Sequence, residues 1–210
     1  MSNPKEYVLA GDIGGTNTRL AVVNVSGRQP HITLKTNYPS QQYASLKAIL
    51  AAFSETHRHP LQAACLGVAG PVHGQTASIT NLPWQLDAGE IAAQLNLEKV
   101  SLLNDLEATA WGLRTLQESD LLTLQEGINP ASGNAAIIAA GTGLGQAGLY
   151  FDGRQHHPFA CEGGHSDFSP QTELDMALFR HLSRKHDHVS WERIVCGDGL
   201  VNIHTFLCEL

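Results

Sequence analysis

Two glycine-dense segments carry the most specific chemistry in this chain. The first, Gly11-Asp12-Ile13-Gly14-Gly15-Thr16-Asn17, lies between a short apolar run at residues 7–10 and a β-branched run at 19–25. Glycines permit positive φ and close backbone approach, so successive N–H groups can converge on an anion such as a phosphate. Thr16 and Asn17 add side-chain donors, and Asp12 is a candidate Mg²⁺ ligand, directly or through water. A Gly-Lys-Ser/Thr phosphate loop needs a lysine and a following helix; here there is no lysine and a strand follows. The second segment, Gly141-Thr142-Gly143-Leu144-Gly145, sits between small apolar residues at 135–140 and a strand-like run at 146–151. Gly143, Gly145 and Gly148 fit G-x-G-x-x-G, but that fingerprint must open a helix. Both segments therefore read as phosphate-binding hairpins. Either alone is also an ordinary glycine-rich turn; the pairing carries the reading.

Polar residues suited to a hydroxyl-rich substrate are spread between and beyond these loops. Asn104-Asp105 ends an apolar strand, where α/β sheets place ligand chemistry. A carboxylate there can take the proton of an attacking hydroxyl, and phosphoryl transfer needs such a base mainly for positioning. Without context, Asn-Asp after a strand is also a turn or helix cap. Glu162-Gly163-Gly164-His165 sets an acceptor and an imidazole three residues apart, a pattern that suits sugar hydroxyls. Zinc is the rival reading, yet Cys161, His165 and Asp167 lack further ligands at zinc spacing. Glu192, just inside a short helix, is a candidate ligand or a solvated face residue. Asn81-Leu82-Pro83-Trp84 offers an amide and an aromatic face to a sugar, or else a core tryptophan. The histidines at 57, 59, 156, 157, 181, 186 and 188 read as surface residues.

The elements that position these groups follow from periodicity. Strands are predicted at 7–10, 19–25, 63–68, 76–79, 99–103, 135–140 and 146–151. Leu46, Ile49, Leu50 and Phe53 have helical spacing behind a Ser45 cap, and Asp87 with Glu90 resembles a capping box. Further helices are predicted over 106–114, 173–185, 191–196 (capped by Ser190) and 200–210. Hairpins mixed with strand–helix units give an α/β class with a partly antiparallel sheet. No internal repeat or low-complexity linker is visible.

Composition narrows the function classes. The chain has 210 residues, 42% hydrophobic, with 13 basic and 20 acidic residues and a net charge of −7. No Lys/Arg run exists to neutralise a phosphate backbone, which argues against nucleic-acid binding. An acidic protein that handles ATP must grip its phosphates with N–H groups and a metal. Four scattered cysteines without a C-x-x-C pair suit reduced thiols. With no apolar signal core and no apolar run of membrane-spanning length, no membrane is involved and the expected location is cytoplasmic.

The assembled motifs resemble the bacterial glucokinases of the hexokinase/actin-like ATPase superfamily. The likeness rests on both glycine segments, Asn104-Asp105, Glu162-Gly163-Gly164-His165-Ser166-Asp167-Phe168, and Glu192-Arg193 leading to Gly197-Asp198-Gly199-Leu200-Val201-Asn202. The zinc-binding cysteine cluster of the repressor/kinase (ROK) branch is absent. The resemblance implies an actin-like ATPase (ribonuclease H-like) α/β fold: a mixed sheet with glycine-loop hairpins, with the second domain incomplete. It implies a small N-terminal α/β domain over 1–115 and part of a large α+β domain over 116–210. By the same resemblance, Asp105 is the general base on the sugar 6-hydroxyl. Asn104, Glu162, His165 and Glu192 hold the other hydroxyls, joined by Asn81 on the reading of its own loop, and the two loops bind ATP phosphates and Mg²⁺. The expected partners are glucose and ATP, a homodimer is allowed, and the two domains of such a kinase close over the sugar. Family members continue through roughly another hundred residues holding the adenosine site, so the chain is expected to lack a C-terminal third. A non-catalytic sugar-binding remnant and a kinase for another hexose are the alternative functions.

Overall fold

The computed structural model describes residues 6–27, 29–127 and 133–210, in two compact units, Met1–Leu124 and Gln125–Leu210. The first unit is built on a five-stranded sheet of order β3-β2-β1-β4-β8. Its strands are β1 (Tyr7–Ile13), β2 (Asn17–Asn24), β3 (His31–Pro39), β4 (Leu61–Val68) and β8 (Lys99–Asn104). β1–β2–β3 is an antiparallel meander, whereas β4 and β8 run parallel to β1. A small antiparallel sheet of β5 (Val72–His73), β6 (Thr76–Ser78) and β7 (Gln85–Asp87) leads into α2 (Ala88–Leu95).

Helix α1 (Leu46–Ser54) forms as its pattern requires. Ser45 accepts the Ala48 N–H, and Leu46, Ile49, Leu50 and Phe53 are buried on one face. They join Leu9, Ile13, Leu20, Val22, Leu66 and Val68 in one core. Asp87 caps α2 by accepting the Glu90 N–H at 2.9 Å. The reciprocal half of the expected capping box is absent, because the Glu90 carboxylate pairs with Lys47 at 2.7 Å. Helix α3 (Asp105–Gly112) follows β8 directly, and a 3-10 turn continues it to Thr115.

The second unit holds an antiparallel sheet, β11-β10-β9, of β9 (Ala135–Ala140), β10 (Leu144–Phe151) and β11 (His156–Cys161). Helices α4 (Glu173–Leu182) and α5 (Gly197–Cys208) pack around Phe168, Leu178, Leu182, Val189, Ile194 and Phe206.

Several expectations about the elements need correction. β3 and β11 are strands the periodicity missed: both are mostly exposed or half-buried, so neither shows a clean apolar alternation. β1 continues through Ile13, which places Gly11 and Asp12 inside the strand rather than in the turn. The stretch at 191–196 is one 3-10 turn, Trp191–Arg193, and the Ser190 side chain makes no cap bond. Cys196 instead caps α5, accepting the Gly199 N–H at 3.2 Å, so Gly197-Asp198-Gly199 is helical. α4 stops at Leu182 and starts from a reciprocal Thr172/Asp175 capping box. Not all the histidines are on the surface. His181 is 6% exposed on the inner face of α4, 3.2 Å from Glu209. Both ring nitrogens of His57 are buried, and burial pushes its pKa down.

Candidate functional site

The parallel strands of the first unit bring its candidate residues to one sheet edge. Asp12 lies opposite Gly67 on β4, and Val68 lies opposite Asn104 on β8, so β1, β4 and β8 end side by side. The first glycine turn, Asn104 and Asp105 therefore share the C-terminal edge, where open α/β sheets bind ligands. Gly67 permits the approach of α3: a Cβ there would lie 3.0 Å from Ala108 Cβ and 3.7 Å from Asp105 Cα.

The turn itself is Gly14-Gly15-Thr16, closed by a Gly14 N–H bond to the Asn17 carbonyl at 3.0 Å. Its glycines do not take positive φ; the described glycines that do are Gly70, Gly74 and Gly153. Close approach is the reason for them. A Cβ would stand 2.9 Å from the Asn17 carbonyl oxygen at Gly14 and 3.0 Å from the Thr80 carbonyl oxygen at Gly15. Among the described residues, the N–H groups of Gly15 and Thr16 donate to no protein acceptor. Asp12 projects from the strand just before the turn. Its carboxylate is 54% exposed and accepts from the Arg19 guanidinium, its cross-strand neighbour, at 2.7 Å. Asn37 donates to the Asn17 amide oxygen at 3.2 Å, orienting it.

Asn104 proves to be the N-cap of α3. Its Oδ1 accepts from the N–H groups of Leu106 (3.1 Å) and Glu107 (3.4 Å), while Nδ2 donates to the Gly70 carbonyl at 3.4 Å. Cap and site roles thus coincide in one residue. Asp105 is the first helical residue, half-buried, with Oδ1 accepting the Leu106 N–H at 2.9 Å. Asn81 is exposed with φ 72°, a conformation asparagine tolerates better than most residues, and lies against Gly15. Its neighbour Trp84 is 4% exposed and belongs to the core, so it offers no face to a sugar.

The second unit gathers its own candidates around its glycine turn. Glu162 Oε2 lies 3.3 Å from His165 Nδ1, and His165 Nε2 lies 3.8 Å from Glu192 Oε1. Glu192 is no solvated face residue: its side chain is 24% exposed, and Oε2 accepts the Leu144 N–H at 2.9 Å. The turn is also held by Gly141 N–H donating to the Gly143 carbonyl (2.8 Å) and Gly197 N–H donating to the Gly141 carbonyl (2.9 Å). A Cβ on Gly143 would collide with the Glu192 carboxylate. The N–H groups of Thr142 and Gly143 make no protein hydrogen bond among the described residues. Gly145 follows within β10, opposite Ala139.

Asp167 does not join a metal set; its carboxylate receives His188 Nε2 at 2.6 Å. Among the described residues no three His, Cys, Asp or Glu side chains are grouped to hold a metal, and no helix is long and apolar enough to cross a membrane. Sequence reasoning missed Arg19, Asn37 and Ser40, all in direct contact with the first glycine segment.

A mixed five-stranded sheet that ends in an Asn-Asp pair, a second, antiparallel sheet, and a glycine-turn hairpin in each put the chain in the actin-like ATPase class of α/β folds. Within that class it belongs to the glucokinase family, whose model matches residues 9–210. A glucokinase of Nostoc sp. is 43% identical over 206 residues, covering 95% of this chain and 60% of the relative. Among solved structures, the glucokinase of an Antarctic psychrotroph has a TM-score of 0.80 at 28% identity, covering 97% of this chain and 65% of that one. The glucokinase of Balamuthia mandrillaris, solved with glucose, has a TM-score of 0.76 at 26% identity, covering 99% and 64% respectively. The chain thus spans about 60% of the length of the curated relatives it matches.

Proposed function

We propose that this chain supplies the sugar-binding and phosphate-gripping portion of an ATP:glucose 6-phosphotransferase. The observation that carries the reading is the C-terminal edge of the first sheet. There a carboxylate at a helix start, Asp105, stands at the strand ends together with a glycine turn. In that arrangement Asp105 accepts the proton of the sugar 6-hydroxyl as its oxygen attacks the γ-phosphorus, while the bond to the leaving ADP oxygen breaks.

The N–H groups of Gly15 and Thr16, and those of Thr142 and Gly143, suit phosphate oxygens, since each turn presents two consecutive donors that no protein acceptor takes among the described residues. Magnesium arrives with the nucleotide as part of the substrate. Asp12 would meet it directly or through water, in keeping with the habit of Mg²⁺ of taking few carboxylates and many phosphate and water oxygens. Glu162, His165 and Glu192 offer acceptors and an imidazole to the remaining sugar hydroxyls. Asn104 contributes through Nδ2, because its Oδ1 is committed to the helix cap. Asn81 adds an amide beside the first turn.

The test is a coupled glucose 6-phosphate assay on this chain joined to the part of the Nostoc relative that it does not match. Asp105→Asn is expected to lower turnover by about 10²–10⁴-fold, the usual contribution of a positioned general base. Unchanged turnover would sink the base assignment. Glucose binding without transfer in the unmutated chimera would favour a sugar-binding role without catalysis.

A further inference from the structure

The first glycine turn is held from beneath by a residue in none of the motifs. Ser40 lies in a short 3-10 turn (Ser40–Gln42) just after β3 and is completely buried. Its hydroxyl donates to the Gly14 carbonyl at 2.7 Å, and its backbone N–H donates to the Thr16 carbonyl at 2.9 Å. Thr18, equally buried, has its hydroxyl 2.9 Å from Ser40 Oγ. A serine hydroxyl has one proton, and Gly14 receives it, so Thr18 must be the donor in that contact. The result is a directed chain from Thr18 through Ser40 to Gly14.

Peptide planarity gives this chain a consequence. In a trans peptide the C=O and the following N–H point in opposite directions. A Gly14 carbonyl held toward Ser40 therefore turns the Gly15 N–H away from Ser40. In a plain two-residue hairpin the cross-strand N–H would satisfy that carbonyl; here the buried hydroxyl takes it. We propose that Ser40 is the positioning residue of the first glycine turn, fixing the Gly14–Gly15 peptide so that the Gly15 N–H is aimed at a nucleotide phosphate. This rests on the proposed phosphotransferase reading for the ligand, but not for the geometry.

Two arms separate the two ideas. In the first, backbone amide hydrogen exchange is measured on this chain without ligand. Ser40→Ala is expected to speed exchange of the Gly14 amide by about tenfold, the equivalent of one lost hydrogen bond. Thr18→Val, which removes only the supporting donor, should act in the same direction and less strongly, and Ser40→Thr should restore the native rate. Unchanged Gly14 exchange in both Ser40→Ala and Thr18→Val would overturn the inference whatever the chain's activity. In the second arm, the active chimera carrying Ser40→Ala should show a KM for ATP raised about tenfold with the KM for glucose unchanged. A loss spread equally over both substrates would mark Ser40 as merely structural. Absence of any transfer in the unmutated chimera would refute the phosphotransferase reading, leaving the exchange arm to decide the role of Ser40.

Discussion

Removal of the Glu192 carboxylate should loosen the second glycine turn before it affects anything else. Glu192 Oε2 accepts the Leu144 N–H at 2.9 Å, Leu144 is buried, and the carboxylate is only 24% exposed. A hydrogen bond to a charged group contributes about 1.5–3 kcal/mol, and a buried donor left without a partner costs about as much. Glu192→Ala should therefore ease local opening of the turn by about 2 kcal/mol, or roughly 30-fold in the exchange rate of the Leu144 amide. Glu192→Gln keeps an acceptor oxygen and should give a clearly smaller change. Gly143 supplies an internal control. A Cβ there meets the same carboxylate, so Gly143→Ala should destabilise the native chain yet be nearly neutral in the Glu192→Ala background. Leu144 exchange unaltered by Glu192→Ala, or an equal cost of Gly143→Ala in both backgrounds, would refute the argument that this carboxylate anchors the turn.

Two other perturbations test the frame around the site. The Asp152 carboxyl is held at about 2 by hydrogen bonds from the Gln155 N–H, the His157 side chain and the Arg154 N–H at the β10–β11 turn. A depressed carboxylate contributes in full above its unfolded value of about 3.9 and loses that contribution as pH falls toward the folded value. Carbon NMR should show Asp152 still ionised at about pH 3, and a midpoint near the ordinary carboxylate value would contradict the assignment. Phe53→Ala in the first core, where Phe53 is almost fully buried, should cost about 3–5 kcal/mol in denaturant unfolding, and a loss under 1 kcal/mol would mean the core closes over the gap.

Much of the fold was legible because the relevant signals are local. Ser45 before Leu46, Ile49, Leu50 and Phe53 specifies α1 within nine residues, and the structure realises both the cap and the buried face. The apolar run before Asn104 likewise marks β8 and its exit at the sheet edge. β3 and β11 were hidden for the opposite reason. Their side chains are mostly in contact with water, so pairing with β2 and β10 holds them rather than an apolar stripe. The Cys196 cap escaped notice because sulfur is a weak acceptor and cysteine is no usual cap residue.

The site divides along the same line. Residue types paired Glu162 with His165, the family resemblance added Glu192, and the structure brings all three together within the second unit. Composition could not reveal that Glu192 also holds the glycine turn, because its partner Leu144 is forty-eight residues away in sequence. The glycines carry the same lesson. In sequence they signal freedom to adopt positive φ, yet none of those in the two turns uses it. What excludes a side chain is the Asn17 carbonyl beside Gly14, the Thr80 carbonyl beside Gly15 and the Glu192 carboxylate beside Gly143. These glycines make room for neighbours that only the tertiary fold supplies. A substitution at Gly143 should accordingly depend on residue 192, whereas one at Gly141, where an added Cβ meets none of the described residues, should be independent of residue 192.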